Sequence, residues 1–206
     1  LRGQHQLTFC LGAEALALFR ELGERYVDVL ATHQALLRGP FTEHRGVEVG
    51  VEGDALFFAF ADASEAVAAC LEAQRALAAH PWPPGVELRV RIGMHTGEAR
   101  PVRDDYVDLA VHQAARISAG AHGGQVLLSQ ATAAAVEGRL PDGTTLIPLG
   151  SFQLRGFPQP ERLFQLGHPD LRHRFPPLRL IGVVRHNLPF PRSDFVGRTA
   201  ERTALG

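Results

Sequence analysis

An α+β sandwich is the fold class this chain predicts, and three observations predict it. Strand-like apolar runs and helical stretches alternate along the 206 residues. Some of the strands follow one another with only a tight turn between them, as antiparallel hairpins do. The resulting order, β-α-β-β-α-β-α-β-α-β-β, interleaves helices with hairpins and suits a sandwich better than a doubly wound parallel sheet.

The elements follow in order. Leu7-Thr8-Phe9-Cys10-Leu11 is a short apolar run suited to a buried strand. From Glu14 to about Leu37, Leu18, Phe19, Leu22, Tyr26, Val29, Leu30, Leu36 and Leu37 recur at helical spacing. Gly23 marks a bend or a break between two helices, and Gly39-Pro40 is expected to stop the run. Residues 46–60 read as two strands joined at Glu52-Gly53-Asp54-Ala55. Asp62-x-x-Glu65 is a possible capping box for a helix through Leu77, ended by the proline-rich stretch His80 to Gly85. Val86 to Thr96 alternates as a long strand, with Leu88, Val90, Ile92 and Met94 on one face and Glu87, Arg89 and Arg91 on the other. A helix from Asp108 to about Ala119 is closed by His122-Gly123-Gly124. A strand at Gln125–Ser129, a short helix at Gln130–Glu137 and final strands near Leu146–Leu149, Phe152–Leu154 and Glu161–Leu166 complete the pattern.

Composition narrows the function classes. Apolar residues make up 45% and charged residues 21%, as in ordinary soluble domains. A net charge of −1 supplies no basic field, which argues against nucleic acid as a partner. No apolar run is long enough to span a bilayer, so no membrane segment is expected. All 21 basic residues are arginine, so chemistry that needs a lysine must borrow it from another subunit. Cys10 and Cys70 lie in apolar segments and read as reduced, partly buried thiols of a cytoplasmic protein. The ten histidines show no ligand-like spacing with carboxylates or cysteines, and a dedicated zinc site is not expected. The absence of an initial methionine suggests a piece of something longer.

Two stretches carry a resemblance. Val47 to Phe60, with Gly53-Asp54 at its tip, and Asp105 to Arg116 together resemble the two active-site segments of class III adenylyl/guanylyl cyclase domains. Ile92-Gly93-Met94-His95-Thr96-Gly97-Glu98, His122 to Ser129 and Pro160 to Leu166 extend the likeness over residues 7–166. The resemblance implies a ferredoxin-like (βαββαβ) core with extra C-terminal strands. It also implies Mg²⁺ or Mn²⁺ held by two aspartates, ATP or GTP as ligand, and sites shared between two subunits that pair through the cyclase face. The metals would activate the ribose 3′-hydroxyl and neutralise triphosphate charge.

Carried onto this chain residue by residue, the resemblance is incomplete. The first metal aspartate falls on Leu11 or Ala13, which offer no carboxylate. Glu14 is either a displaced ligand or a helix cap. Asp54 matches the second metal aspartate, although Gly-Asp is also what a tight turn wants. The lysine that reads adenine falls on Gly50, which offers nothing to a purine, while its aspartate partner matches Asp105, otherwise a solvated loop carboxylate. His112 stands where an asparagine would orient the ribose. Arg116, four residues on and hence on the same helix face, matches the arginine that steadies phosphate charge, unless it serves a structural salt bridge. Arg155 lies near a basic phosphate contact of the family.

Residues 1–168 are thus expected to form a cyclase-homology domain, and the proline-rich residues 169–194 a linker. Residues 195–206, with Phe195-Val196-Gly197-Arg198, resemble the start of a STAND-type NTPase domain lying C-terminal to it. Two functions remain open. One is a regulatory pseudo-cyclase in intracellular signal transduction, acting as a homodimer or heterodimer. The other is a divergent enzyme forming a cyclic nucleotide and pyrophosphate, in which this chain lends Asp105, His112 and Arg116 to a partner's metal half.

Overall fold

The computed structural model describes residues 6–13, 26–97 and 109–182, with side chains for residues 26–97 and 109–182. Its elements are β1 (Gln6–Ala13), α1 (Tyr26–Glu43), β2 (Val47–Glu52), β3 (Ala55–Phe60), α2 (Ala63–Ala79), β4 (Val90–Gly97), α3 (Leu109–Gly120), β5 (Val126–Ser129), α4 (Gln130–Ala135), β6 (Thr145–Gln153), β7 (Glu161–Gly167) and β8 (Ile181–Gly182). They build one eight-stranded sheet in the order β2-β3-β1-β4-β5-β7-β6-β8. The first four strands pair antiparallel with β1 inserted between β3 and β4, which is the ferredoxin-like arrangement. Among the described strands only β4 and β5 run parallel, with α3 in the connection between them. The α+β sandwich with added C-terminal strands is therefore what the chain forms.

The two faces of the sheet are covered unequally. Leu56, Phe58 and Phe60 of β3 and Val90, Ile92 and Met94 of β4 point to one side, where they meet Leu37 and Phe41 of α1 and the alanine-rich face of α2. Phe41 packs its ring 4.9 Å from Phe58 and 5.7 Å from Phe60. Each such fully buried phenylalanine contributes about 1.5–3 kcal/mol relative to exposure. Cys70 is a fully buried free thiol in this core, and burial pushes its pKa well up.

Helix α3 covers the other face and comes very close to it. A Cβ on Gly93 would lie 2.3 Å from Ser118 N and 2.5 Å from Ala114 O, and one on Gly97 would lie 3.1 Å from Ala110 Cβ. Glycine on β4 facing small residues on α3 is what lets backbone rest on backbone here. The glycine spacing in Ile92-Gly93-Met94-His95-Thr96-Gly97 thus has a packing cause.

Several boundaries differ from expectation. Gly39-Pro40 does not stop α1, which continues to Glu43 with Pro40 inside it. Buried Phe41 holds the last turn against β3, and the Pro40 and Phe41 carbonyls accept from His44 N at 3.0 Å and Gly46 N at 2.7 Å. The strand expected from Val86 begins its ladder only at Val90, opposite Ala13 of β1, although Leu88 is already buried. The strands expected at 146–149 and 152–154 are one strand, β6, with a register shift between Pro148 and Gly150. Proline cannot donate to the ladder and glycine here has φ of 108°, so the strand bulges rather than ends. The capping box is half made. Asp62 caps α2 by accepting from Ser64 N at 2.7 Å, while Glu65 accepts from His44 Nδ1 at 2.7 Å instead of returning to the cap.

Residues 169–182 lie against the domain. Leu171 is buried in the main core, Arg75 pairs with Asp170 at 2.7 Å, and Arg179 N donates to Gly120 O at 3.0 Å. Ile181 and Gly182 then pair with Gln153 and Phe152 at the edge of the sheet.

Candidate functional site

The β2–β3 hairpin turns on Gly53 and Asp54. Gly53 has φ of 62°, as the first central position of a two-residue hairpin turn of type II′ requires, and places Asp54 at the tip. Asp54 is half-buried; its Oδ2 is closed off from solvent and accepts no hydrogen bond. The turn reading of Asp54 is therefore met by backbone geometry, yet the turn gives its carboxylate no partner.

Gly50 lies in β2 directly opposite Phe57, beside a register shift between Glu48 and Gly50. Phe57 belongs to the α3 side of the sheet, where it packs with Ala114, Val49, Ala55, Val111 and Ala115. Gly50 thus sits at the rim of α3 and presents no functional group there.

His112 and Arg116 are both exposed, one turn apart on α3, next to Val111 and Ala115. Neither forms a hydrogen bond or ion pair with a described residue, so the structural salt bridge expected as the alternative for Arg116 is not formed among them. Gln113, between the two, is anchored. Its Nε2 donates to Glu161 Oε2 at 2.7 Å, and Glu161 Oε1 accepts from Gln130 N at 2.9 Å. Burial raises the Glu161 pKa, and these two hydrogen bonds oppose the shift. This clamp ties α3 to β7 and to the start of α4. Sequence reading gave Glu161 no task; the signal for this anchor lay in Pro160 to Leu166, a stretch that resembles the family.

Arg155 is exposed in the turn after β6 and has no ion-pair partner among the described residues. Asp105 and Glu14 lie outside the described residues, as do the side chains of Leu11 and Ala13, whose backbone closes β1.

These positions do not gather into one pocket. The Asp54 charge reaches His33 of α1, whereas Gly50 lies opposite Phe57 beneath α3, which carries His112 and Arg116. A cation fits Asp54 in one respect, because a buried, unpartnered carboxylate oxygen is what a metal ligand looks like before it is ligated. Among the described residues no group of three or more histidine, cysteine, aspartate or glutamate side chains could hold a metal ion unaided. No helix among them is long and apolar enough to cross a membrane.

The sheet order, the hairpin carrying Asp54 and the helix carrying His112 and Arg116 define a class, and the chain belongs to the class III adenylyl/guanylyl cyclase-homology domains. Among solved structures, an adenylate cyclase of Trypanosoma brucei in its monomeric state superposes with a TM-score of 0.74 at 25% identity, over 86% of this chain and 95% of that one. The guanylate cyclase domain from Catenaria anguillulae, in complex with GTP, superposes with a TM-score of 0.68 over 80% of this chain and 97% of that one; at 14% identity it speaks to fold alone.

The particular relatives are mycobacterial. An uncharacterised protein of Mycobacterium tuberculosis is 44% identical over 164 residues, 78% of this chain and 55% of that protein. The chain thus spans about half the length of that curated relative. A second one from the same organism is 41% identical over 183 residues, 86% of this chain and 67% of its own. A receptor-type adenylate cyclase of Trypanosoma congolense is 31% identical over 185 residues, 68% of this chain and 24% of that protein. No protein-family model matches the chain.

Proposed function

We propose that this chain is a catalytically impaired cyclase-homology domain that serves intracellular signal transduction as a regulatory and dimerisation module. The observation that carries the reading is Gly50. In β2, opposite Phe57, it leaves no donor where the family reads its purine with lysine, and the chain has no lysine to supply from elsewhere. Leu11 and Ala13 likewise bring no carboxylate to the first turn. Removing one preorganised charge-stabilising group costs roughly 10²–10³ in turnover. Two such losses push activity towards the limit of detection, even though they do not simply add.

The residues that remain have defined tasks in this reading. Asp54 would hold Mg²⁺ or Mn²⁺, which when bound neutralises triphosphate charge. Asp105 accepts a hydrogen bond from a base amino group, His112 donates towards the ribose, and Arg116 and Arg155 meet phosphate oxygens of ATP or GTP. Two copies, or this chain and a homologue, pair through the cyclase face in the cytoplasm. The proline-rich residues 169–194 lead towards an NTPase domain beginning near Phe195.

One observation favours the enzyme reading in a restricted form. His112 and Arg116 are exposed and lack partners among the described residues, so they are free to complete a second subunit's metal half.

The test is cyclic nucleotide formation by the purified chain with Mn²⁺ and ATP or GTP, at a concentration that drives association, beside Arg116→Ala. The expected result is no product above the variant. Product that the chain makes alone and Arg116→Ala does not would establish a divergent cyclase. Activity appearing only on mixing with an intact cyclase domain would establish the complementing role.

A further inference from the structure

His33 is the most unusual side chain in the described core. It is fully buried, and both of its ring nitrogens lack a hydrogen-bond partner. Its position follows from α1, whose buried residues Val29, His33, Leu37 and Phe41 form one stripe at four-residue spacing. The ring contact between Phe41 and Phe58 sets the C-terminal end of that stripe against β3. From Phe41 to His33 the helix rises about 12 Å, and from Phe58 back to Asp54 the strand covers about 13 Å. These matching lengths agree with the Asp54 charge being felt at the ring, and Asp54 Oδ2 is likewise a buried atom left without a hydrogen-bond partner.

We propose that His33 and Asp54 together bind a divalent transition-metal ion such as Mn²⁺, with the imidazole taking the place of the carboxylate that the first turn lacks. The proposal deepens the reading of Asp54 as metal-facing and rests on it.

Three features support this pairing. Two buried lone-pair donors with no hydrogen bond between them are what a cation satisfies, whereas leaving both unmet costs about 1–3 kcal/mol each. A nitrogen-plus-carboxylate set suits Mn²⁺ or Zn²⁺ better than Mg²⁺, which prefers oxygen alone. The other coordination positions remain open to water or phosphate oxygens. Asp54 is only half-buried and stands at a hairpin tip, so the ion reaches it from the sheet edge.

The experiment is a titration of the purified chain with Mn²⁺ near neutral pH, without nucleotide, followed by electron paramagnetic resonance. Pulsed measurements on the bound ion then look for ¹⁴N modulation from a directly ligated imidazole. The expected result is one bound Mn²⁺ with ¹⁴N modulation that excess Mg²⁺ does not displace. His33→Leu should abolish the modulation and weaken binding by roughly 10–100-fold, and Asp54→Asn should weaken it similarly. Because the modulation is read on the unaltered protein, a variant that failed to fold would leave the test standing. Bound Mn²⁺ without ¹⁴N modulation, lost only in Asp54→Asn, would overturn the role of His33 and keep that of Asp54. Absence of Mn²⁺ binding, or binding indifferent to both substitutions, would overturn both readings.

Discussion

Replacing Gly93 with alanine should be among the most damaging single-atom additions to this domain. The new Cβ would sit 2.3 Å from Ser118 N, 2.5 Å from Ala114 O and 2.8 Å from Ser118 Cα. Ordinary contact begins at 3.4 Å, so helix α3 must retreat by about 0.9–1.1 Å. All three atoms are backbone, and no rotamer change relieves the clash. The retreat would also loosen Ala114 and Ile117, both fully buried beneath α3. Over-packing of this kind costs about 1–3 kcal/mol, and the rigidity of the obstacle places it at the upper end. For a domain of this size that is a fall of about 6–12 °C in Tm. Gly50→Ala is the internal control, because its Cβ would meet Phe57 only at 3.9 Å. Removing a flexible glycine from a strand there should change stability by less than about 1 kcal/mol, and favourably. Thermal unfolding of the two variants beside the parent decides the matter. If Gly93→Ala melted with Gly50→Ala, the contact between α3 and β4 described above would be wrong.

Two histidines should give stability profiles of opposite sign. Burial lowers the His95 pKa to about 4, so the unfolded chain takes up its proton first. The His95 contribution is present above the ordinary value of 6.5 and is lost as pH falls towards 4; His95→Leu should flatten that acid limb in urea melts. At His44, burial disfavours the charge, but hydrogen bonds to Glu65 at 2.7 Å and Glu72 at 3.2 Å outweigh it and raise the pKa. Its contribution is complete below 6.5 and fades as pH rises through the raised value, so His44→Gln should destabilise at acidic pH and leave alkaline stability unchanged. Asp62→Ala removes the α2 cap and should cost about 0.5–2 kcal/mol by the same melts, little of it from the exposed Arg139 pair.

The fold was readable wherever one face of an element is buried. Leu88, Val90, Ile92 and Met94 alternate into the core as their spacing requires, and Glu52 to Ala55 turns where Gly53 permits it. The errors share a cause, since tertiary contacts overrode local signals. Phe41 carried the helix past Pro40, and β7 held the two halves of β6 in one strand across Pro148. The site was legible only in part. The spacing of four put His112 and Arg116 on one helix face, where both are exposed on α3, but the sequence pattern could not say that Asp54 would lie within electrostatic reach of a buried histidine on α1. His33 was hidden for a simpler reason. It occupies the position between Val29 and Leu37 in an apolar stripe, and periodicity alone reads a polar residue there as a gap.

The placement of β1 between β3 and β4 has a bearing on how the polypeptide acquires its shape during synthesis. Leu7 sits opposite Phe60 on one flank and opposite Thr96 on the other. The first of the described strands is therefore the one that waits longest for its partners, because its second flank is complete only once Gly97 has emerged from the ribosome. Until then β1 offers an unpaired edge to any passing chain, an exposure typical of sheets dominated by distant pairings. Conditions that stall translation between β3 and β4 should accordingly be those under which this domain aggregates.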